Sequence, residues 1–193
     1  MPKSYTRTGD DGTTGRFGGA RLKKSSPLIA VLGALDEANA AIGLARALSQ
    51  HEPSDELDER LEKLQHLLFR IGADLSTSLD HTDPRAPRLI AADTREIEKA
   101  IDTLDVKLGE LRKFILPGGT PAASALHLSR AIVRRAERAA IHAREAGESF
   151  NPEILPYLNR LSSYLFALAR WANKQKGAEE KHPHYRAEQS QSP

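Results

Sequence analysis

The sequence has no cysteine, which removes disulfides, thiolate metal sites and a cysteine nucleophile together. Aromatic residues make up only 5%, and β-branched runs of alternating polarity are almost absent, so a sheet-built core is not expected. Neither sign of charge dominates. With 28 Lys and Arg against 26 Asp and Glu, there is no global basic field of the kind that binds DNA or an anionic membrane. Long apolar runs are missing too. The longest, LIAVLGAL at 28–35, falls well below the ~20 residues of a membrane span. The opening MPKSYTRTGDD lacks the apolar stretch of a signal peptide. The expectation is a cytoplasmic protein with no membrane and no nucleic-acid partner. At 193 residues the chain fits one domain and can bury a core without metal or disulfide staples.

What is present is helical. Leu, Ala, Glu and Arg recur at helical spacing, and five helices are predicted at about 27–48, 54–79, 94–111, 120–145 and 151–176. Thr120-Pro121 and Asn151-Pro152 each set an N-cap oxygen before a proline at the first helical position. Prolines within 81–91 mark a loop. Short connections between long amphipathic helices imply an all-α fold, a five-helix antiparallel bundle. A single domain is read over 1–180, with a Gly/Thr-rich loop at 1–25 and the bundle at 26–180. The polar stretch KHPHYRAEQSQSP, from Lys181 to the end, is expected to be a disordered tail.

The front segment reads as neither helix nor good strand. Gly9, Gly12, Gly15, Gly18 and Gly19 alternate with Thr6, Thr8, Thr13 and Thr14, and Arg7, Arg21, Lys23 and Lys24 add charge. Glycine lets backbone N–H groups approach an anion, and threonine hydroxyls add donors, which is the chemistry of a phosphate cradle. It is not a Walker A loop, because the GxxxxGK[ST] spacing is missing. Asp10 and Asp11 suit a Mg²⁺ held directly or through water. The competing reading is a turn-rich terminus.

The fourth helix carries the clearest charge pattern. Residues 111–145 hold seven Arg and Lys against two Glu. Leu126, Leu128, Ile132, Val133, Ala136 and Ala140 sweep an apolar arc, while Arg130, Arg134, Glu137 and Arg138 share the opposite side with His127 among them. Arg135 points elsewhere. Guanidiniums on one stripe repel each other unless anions occupy it, and their forks match phosphate oxygens. The alternative is a solvated face with helical ion pairs. On the first helix an apolar stretch is broken by Asp36 and Glu37, beside Gly33, Ala40 and Gly43. A carboxylate buried there needs a partner, and Arg130 suits it chemically; a surface position for Asp36 is the alternative.

Four segments, YTRTGDDGTTGRFGG (5–19), LDEANAAIGLA (35–45), FILPGGTPAASALHLSRAIVRRAER (114–138) and NPEILPYLNRLSSYLFALARWAN (151–173), resemble the PduO-type ATP:cob(I)alamin adenosyltransferase family, in that family's order. The resemblance implies a homotrimer with active sites between subunits, ATP and cobalamin as substrates, and Mg²⁺. It implies transfer of the 5′-deoxyadenosyl group of ATP to cob(I)alamin, giving adenosylcobalamin and triphosphate. Thr6, Arg7, Thr8, Gly9, Thr14 and Gly15 match the ATP-binding loop, and Lys24 a phosphate-binding lysine. Arg134, Arg135, Ala136, Glu137 and Arg138 match a nucleotide segment, and Asn159 a nucleotide contact. Asp36 and Arg130 match an intersubunit ion pair, and Phe114 the aromatic that displaces the corrinoid's lower ligand. Catalytic roles are expected of Phe114, Asp36, Arg130 and Arg134. A reductase and an adenosylcobalamin-dependent acceptor enzyme are the implied partners. Arg16 and Ala38 depart from the family, which usually has Leu at both. The rival readings are an ATP-sensing bundle without transfer activity and a nucleic-acid binder; near-neutral charge and few aromatics speak against the second.

Overall fold

The computed structural model describes residues 5–16, 19–49, 55–81, 83 and 86–184. Its centre is α1 (Pro27–Ser49), where Leu28, Val31, Leu35, Ala38, Ile42 and Ala45 are buried. By length and composition α1 is apolar enough to cross a membrane, although its uninterrupted runs are short. Its two apolar sides are taken instead by α2 (Asp55–Ser76) and α4 (Pro121–Glu145). On its far side α4 packs against α5 (Ile154–Gln175), and α5 against α3 (Ala91–Leu108). This is the expected five-helix bundle. Burial of these seams is the main source of stability, at ~25 cal/mol per Å² of apolar area.

The helix ends depart from the sequence reading for identifiable reasons. Thr120 caps α4 as expected, its Oγ1 accepting from Ala123 N at 3.1 Å with Pro121 in the first turn. By contrast, α5 begins at Ile154, because 151–153 form a turn and Asn151 is drawn inward. The Asn151 Nδ2 donates to Asp74 Oδ2 at 2.6 Å and to the Leu89 carbonyl at 2.8 Å, while its Oδ1 still accepts from Glu153 N at 3.0 Å. Asp74 also receives Arg88 Nη1 at 2.7 Å and Leu89 N at 2.8 Å. This buried knot joins the end of α2, the loop before α3 and the start of α5, and stops α2 at Ser76. The start of α3 falls at Ala91 rather than near Thr94, since the Asp93 carboxylate accepts from Ile90 N at 2.8 Å. Gly109, at φ 78°, ends it.

Ahead of the helices lies a hairpin where no strand was expected. Thr13–Arg16 (β1) pairs antiparallel with Gly19–Lys23 (β2), with Thr14 opposite Leu22. Arg21 braces it, donating Nε to Thr13 Oγ1 at 2.8 Å and Nη2 to the Thr13 and Thr8 carbonyls. Gly18, named in the phosphate-cradle reading, lies outside the described residues. Leu128, assigned to the apolar arc of α4, is instead 52% exposed. Of the expected tail, Lys181 is tied down by its carbonyl, which accepts from Leu116 N at 2.7 Å. Residues 185–193 lie outside the described set.

Candidate active site

The residues singled out for chemistry fall into three groups. The first is the front loop. Lys24 reaches back across it, its Nζ donating to the Gly9 carbonyl at 2.9 Å and its N–H to the Gly12 carbonyl at 2.8 Å. Thr6 and Thr8 share a hydroxyl bond of 2.8 Å between them. Arg7 sits at φ 60° with its guanidinium 5.4 Å from the Tyr5 ring centre. A non-glycine residue in that region stores about 1–3 kcal/mol of strain, and such strain clusters at ligand-binding sites. Thr6, Arg7, Thr8, Gly9 and Lys24 are thus brought together, and Thr14 and Gly15 follow on β1. Asp11 is occupied by Thr13, whose N–H and hydroxyl both bond its Oδ1 and hold its carboxyl below the usual range.

The second group is the arginine stripe of α4. Arg134 and Arg138 are exposed and Arg130 half-buried, and none of the three has a carboxylate partner among the described residues. Burial, with the Arg134 charge beside it, lowers the Arg130 pKa, and its Nε is left without an acceptor. Arg135 does point elsewhere: it forms an ion pair with Glu37 on α1. Glu137 Oε1 accepts from Asn159 Nδ2 at 2.9 Å, so α5 joins the stripe. Asn159 Oδ1 is held in turn by Arg160 Nη1 at 2.7 Å, and Arg160 by Glu98 at 2.8 Å. Ala136 is fully buried, as its place on the apolar arc requires. One expected member of the stripe does not belong. His127 is also buried, edge-on to Phe166, and that burial lowers its pKa.

Asp36 is exposed and makes no ion pair with Arg130 of its own chain; it borders a groove between α1 and α2 that Leu32, Phe69 and Ala73 also line. The third group is the loop from 109 to 120, where Phe114 stands 78% exposed. Sequence reasoning missed the residue that shapes it. Asn173, nearly buried, accepts from Thr120 N at 2.9 Å and donates to the Gly118 carbonyl at 2.9 Å. Gly119, at φ 106°, lies so close that a Cβ there would overlap the Asn173 amide. The doubled glycine before the Thr-Pro cap was the available signal. Gly119→Ala is expected to cost about 1–3 kcal/mol, read as a lower urea midpoint at unchanged m-value. An unmoved midpoint contradicts the clamp.

No helix of the same chain packs extensively on the β1–β2 hairpin among the described residues. The glycine- and threonine-rich loop and a stripe of arginines with no acid partner among the described residues are therefore both open toward solvent in one protomer. A family profile described as Cobalamin adenosyltransferase matches residues 4–172. The chain belongs to the cobalamin adenosyltransferase family. Relatives include a corrinoid adenosyltransferase of Mycobacterium tuberculosis H37Rv, 42% identical over 90% of this chain and 90% of that one. The corrinoid adenosyltransferase of Bacillus subtilis is also 42% identical, over 91% of this chain and 89% of its own. Among solved structures, a variant PduO-type ATP:corrinoid adenosyltransferase from Lactobacillus reuteri, complexed with cobalamin and ATP, is 37% identical. It superposes with a TM-score of 0.87 over 95% of this chain and 97% of that one. A second variant of that enzyme, complexed with ATP, gives 0.85 over 94% and 100%. This adenosyltransferase fold accounts for the all-α architecture.

Proposed function

We propose that the protein is an ATP:corrinoid adenosyltransferase that moves the 5′-deoxyadenosyl group of ATP to cob(I)alamin, releasing triphosphate. The observation that carries the reading is the stripe Arg130, Arg134 and Arg138, which no acid among the described residues neutralises: Arg134 is left for a polyphosphate, Arg138 for the nucleoside and Arg130 for a carboxylate of a neighbouring copy. The neighbours' ligands support it. In the Lactobacillus reuteri structures the substituted phenylalanine and arginine stand 20 positions apart, the spacing of Phe114 and Arg134 here.

The substrate's cobalt(I) is itself a strong nucleophile, so no protein base is needed. The Co–C5′ bond forms as the C5′–O bond breaks, and the electron pair leaves with triphosphate. The protein's contribution is alignment and charge stabilisation. Lys24, Arg134 and the backbone amides of 6–9 neutralise the leaving group; Glu137, Arg138 and Asn159 hold the nucleoside; Arg135, tied to Glu37, steadies the α1–α4 seam. Mg²⁺ would come bound to ATP and offset charge on the departing triphosphate, with Asp10 and Asp11 the carboxylates beside the loop that would hold it directly or through water. The loop of one copy closes over the stripe of the next in a homotrimer, and Asp36 meets Arg130 across that boundary. The reaction also needs a reductase to supply cobalt(I) and an adenosylcobalamin-dependent enzyme to take the product, in the cytoplasm.

The test is an anaerobic assay with ATP, Mg²⁺ and chemically reduced cobalamin, followed by the visible-spectrum change of Co–C bond formation. That change supports the reading. Nucleotide-dependent stabilisation without it supports an ATP-sensing bundle instead. Phe114 is assigned to the preceding reduction, since excluding the axial base from cobalt eases electron uptake. Phe114→Ala is expected to lower turnover from cob(II)alamin roughly tenfold while leaving ATP affinity and turnover from cob(I)alamin in place. Equal losses from both oxidation states would show that Phe114 only packs.

A further inference from the structure

An exposed phenylalanine on a loop without regular structure keeps its place only if its backbone is held. Asn173 holds the far end of the loop, at Gly118 and Thr120. At the near end the loop is held by the chain beyond α5. Leu116 N donates to the Lys181 carbonyl at 2.7 Å, and His182 Nδ1 lies 2.8 Å from the Phe114 carbonyl. That segment is itself anchored. Arg170, 8% exposed, holds Glu180 through Nε at 2.8 Å and Nη2 at 3.3 Å. Ala178 N also donates to the Asn173 carbonyl at 2.9 Å, so one residue, Asn173, ties the strap and the loop to the same turn of α5.

We infer that residues 178–184 form a strap that sets the position of Phe114, with His182 as the positioning residue acting on the Phe114 carbonyl. A carbonyl only accepts, so His182 carries a proton on Nδ1. The strap ties the loop at two points, and the Phe114 side chain stays 78% exposed while its main chain is fixed. That is how a wedge is presented to a flat ligand. The inference rests on the role proposed above for Phe114.

The test has two arms on the full-length protein. In the first, amide hydrogen exchange is measured over 114–116 without ligand. His182→Ala is expected to speed it about fivefold, the size of one lost hydrogen bond. His182→Asn restores protection, because its Nδ2 can donate from the same place. In the second arm, the fraction of bound cob(II)alamin lacking its lower base is read by electron paramagnetic resonance with ATP present. That fraction is expected to fall in His182→Ala and recover in His182→Asn, with the KM for ATP unmoved. Exchange that is unchanged by His182→Ala overturns the strap. Exchange that responds while the cobalt signal does not overturns its role in positioning Phe114. A wild-type protein that keeps the lower base on cobalt overturns both the proposed role of Phe114 and the positioning, and the exchange arm still decides the strap itself.

Discussion

Replacing Asp74 by alanine is expected to destabilise the protein by about 3–5 kcal/mol, the cost of breaking a buried, charge-assisted network from one side. The carboxylate is fully buried and receives Arg88, the Leu89 amide and Asn151. Its removal leaves the Leu89 N–H without its acceptor and the Asn151 amide with only the Leu89 carbonyl. The Arg88 side chain is 25% exposed, so part of its charge can be taken up by water and the loss falls toward the lower end. Asp74→Asn should cost less, because one amide oxygen still accepts, yet it turns an NH₂ toward donors. The urea midpoint at constant m-value measures this. A shift below about 1 kcal/mol for Asp74→Ala would mean that the knot is ornamental to stability. ATP affinity of the folded fraction should not change, since the knot lies apart from the α4 stripe.

Arg134→Ala behaves in the opposite way. It is expected to weaken ATP binding by roughly 1.5–3 kcal/mol, the range of a hydrogen bond to a charged group, which is about 10–150-fold in Kd. Stability without ligand should hold or rise slightly, because Arg134 has no acid partner and its charge disfavours the charged state of Arg130. Arg134→Lys should recover only part of the affinity, since an ammonium lacks the planar fork that engages two phosphate oxygens. Calorimetric titration with ATP and a thermal melt of the free protein separate the two effects. Unchanged ATP affinity refutes the phosphate role. A large loss of stability in the free protein would instead make Arg134 a packing residue.

Local signals were the legible ones. Thr120-Pro121 is a cap that four consecutive residues determine, and the arginine stripe of α4 follows from helical spacing alone. The knot of Asp74, Arg88 and Asn151 was not legible, because its members are far apart in the chain and Asn151 read as a plain cap. The hairpin escaped because its glycines and threonines carry the turn chemistry of a loop, and pairing is fixed by Arg21 reaching three oxygens. His127 lies at the edge of the stripe, where a helical wheel cannot say which neighbour covers it. Asp36 looked misplaced in an apolar helix, and it is exposed with no ion pair among the described residues. The proposed division of the site between copies rests on the family resemblance and on the open loop and stripe of a single protomer.

Mixing two defective proteins tests that division. Lys24→Ala damages the loop and Arg134→Ala the stripe, each in every copy of its own protein. Unfolding and refolding them together gives mixed trimers in which about one quarter of the sites combine an intact loop with an intact stripe from the neighbouring copy. Adenosyl transfer is expected to return to about that fraction of wild-type activity in the mixture, with each parent refolded alone remaining poor. A mixture no more active than its parents would contradict it, because loop and stripe would then serve one site within a single chain.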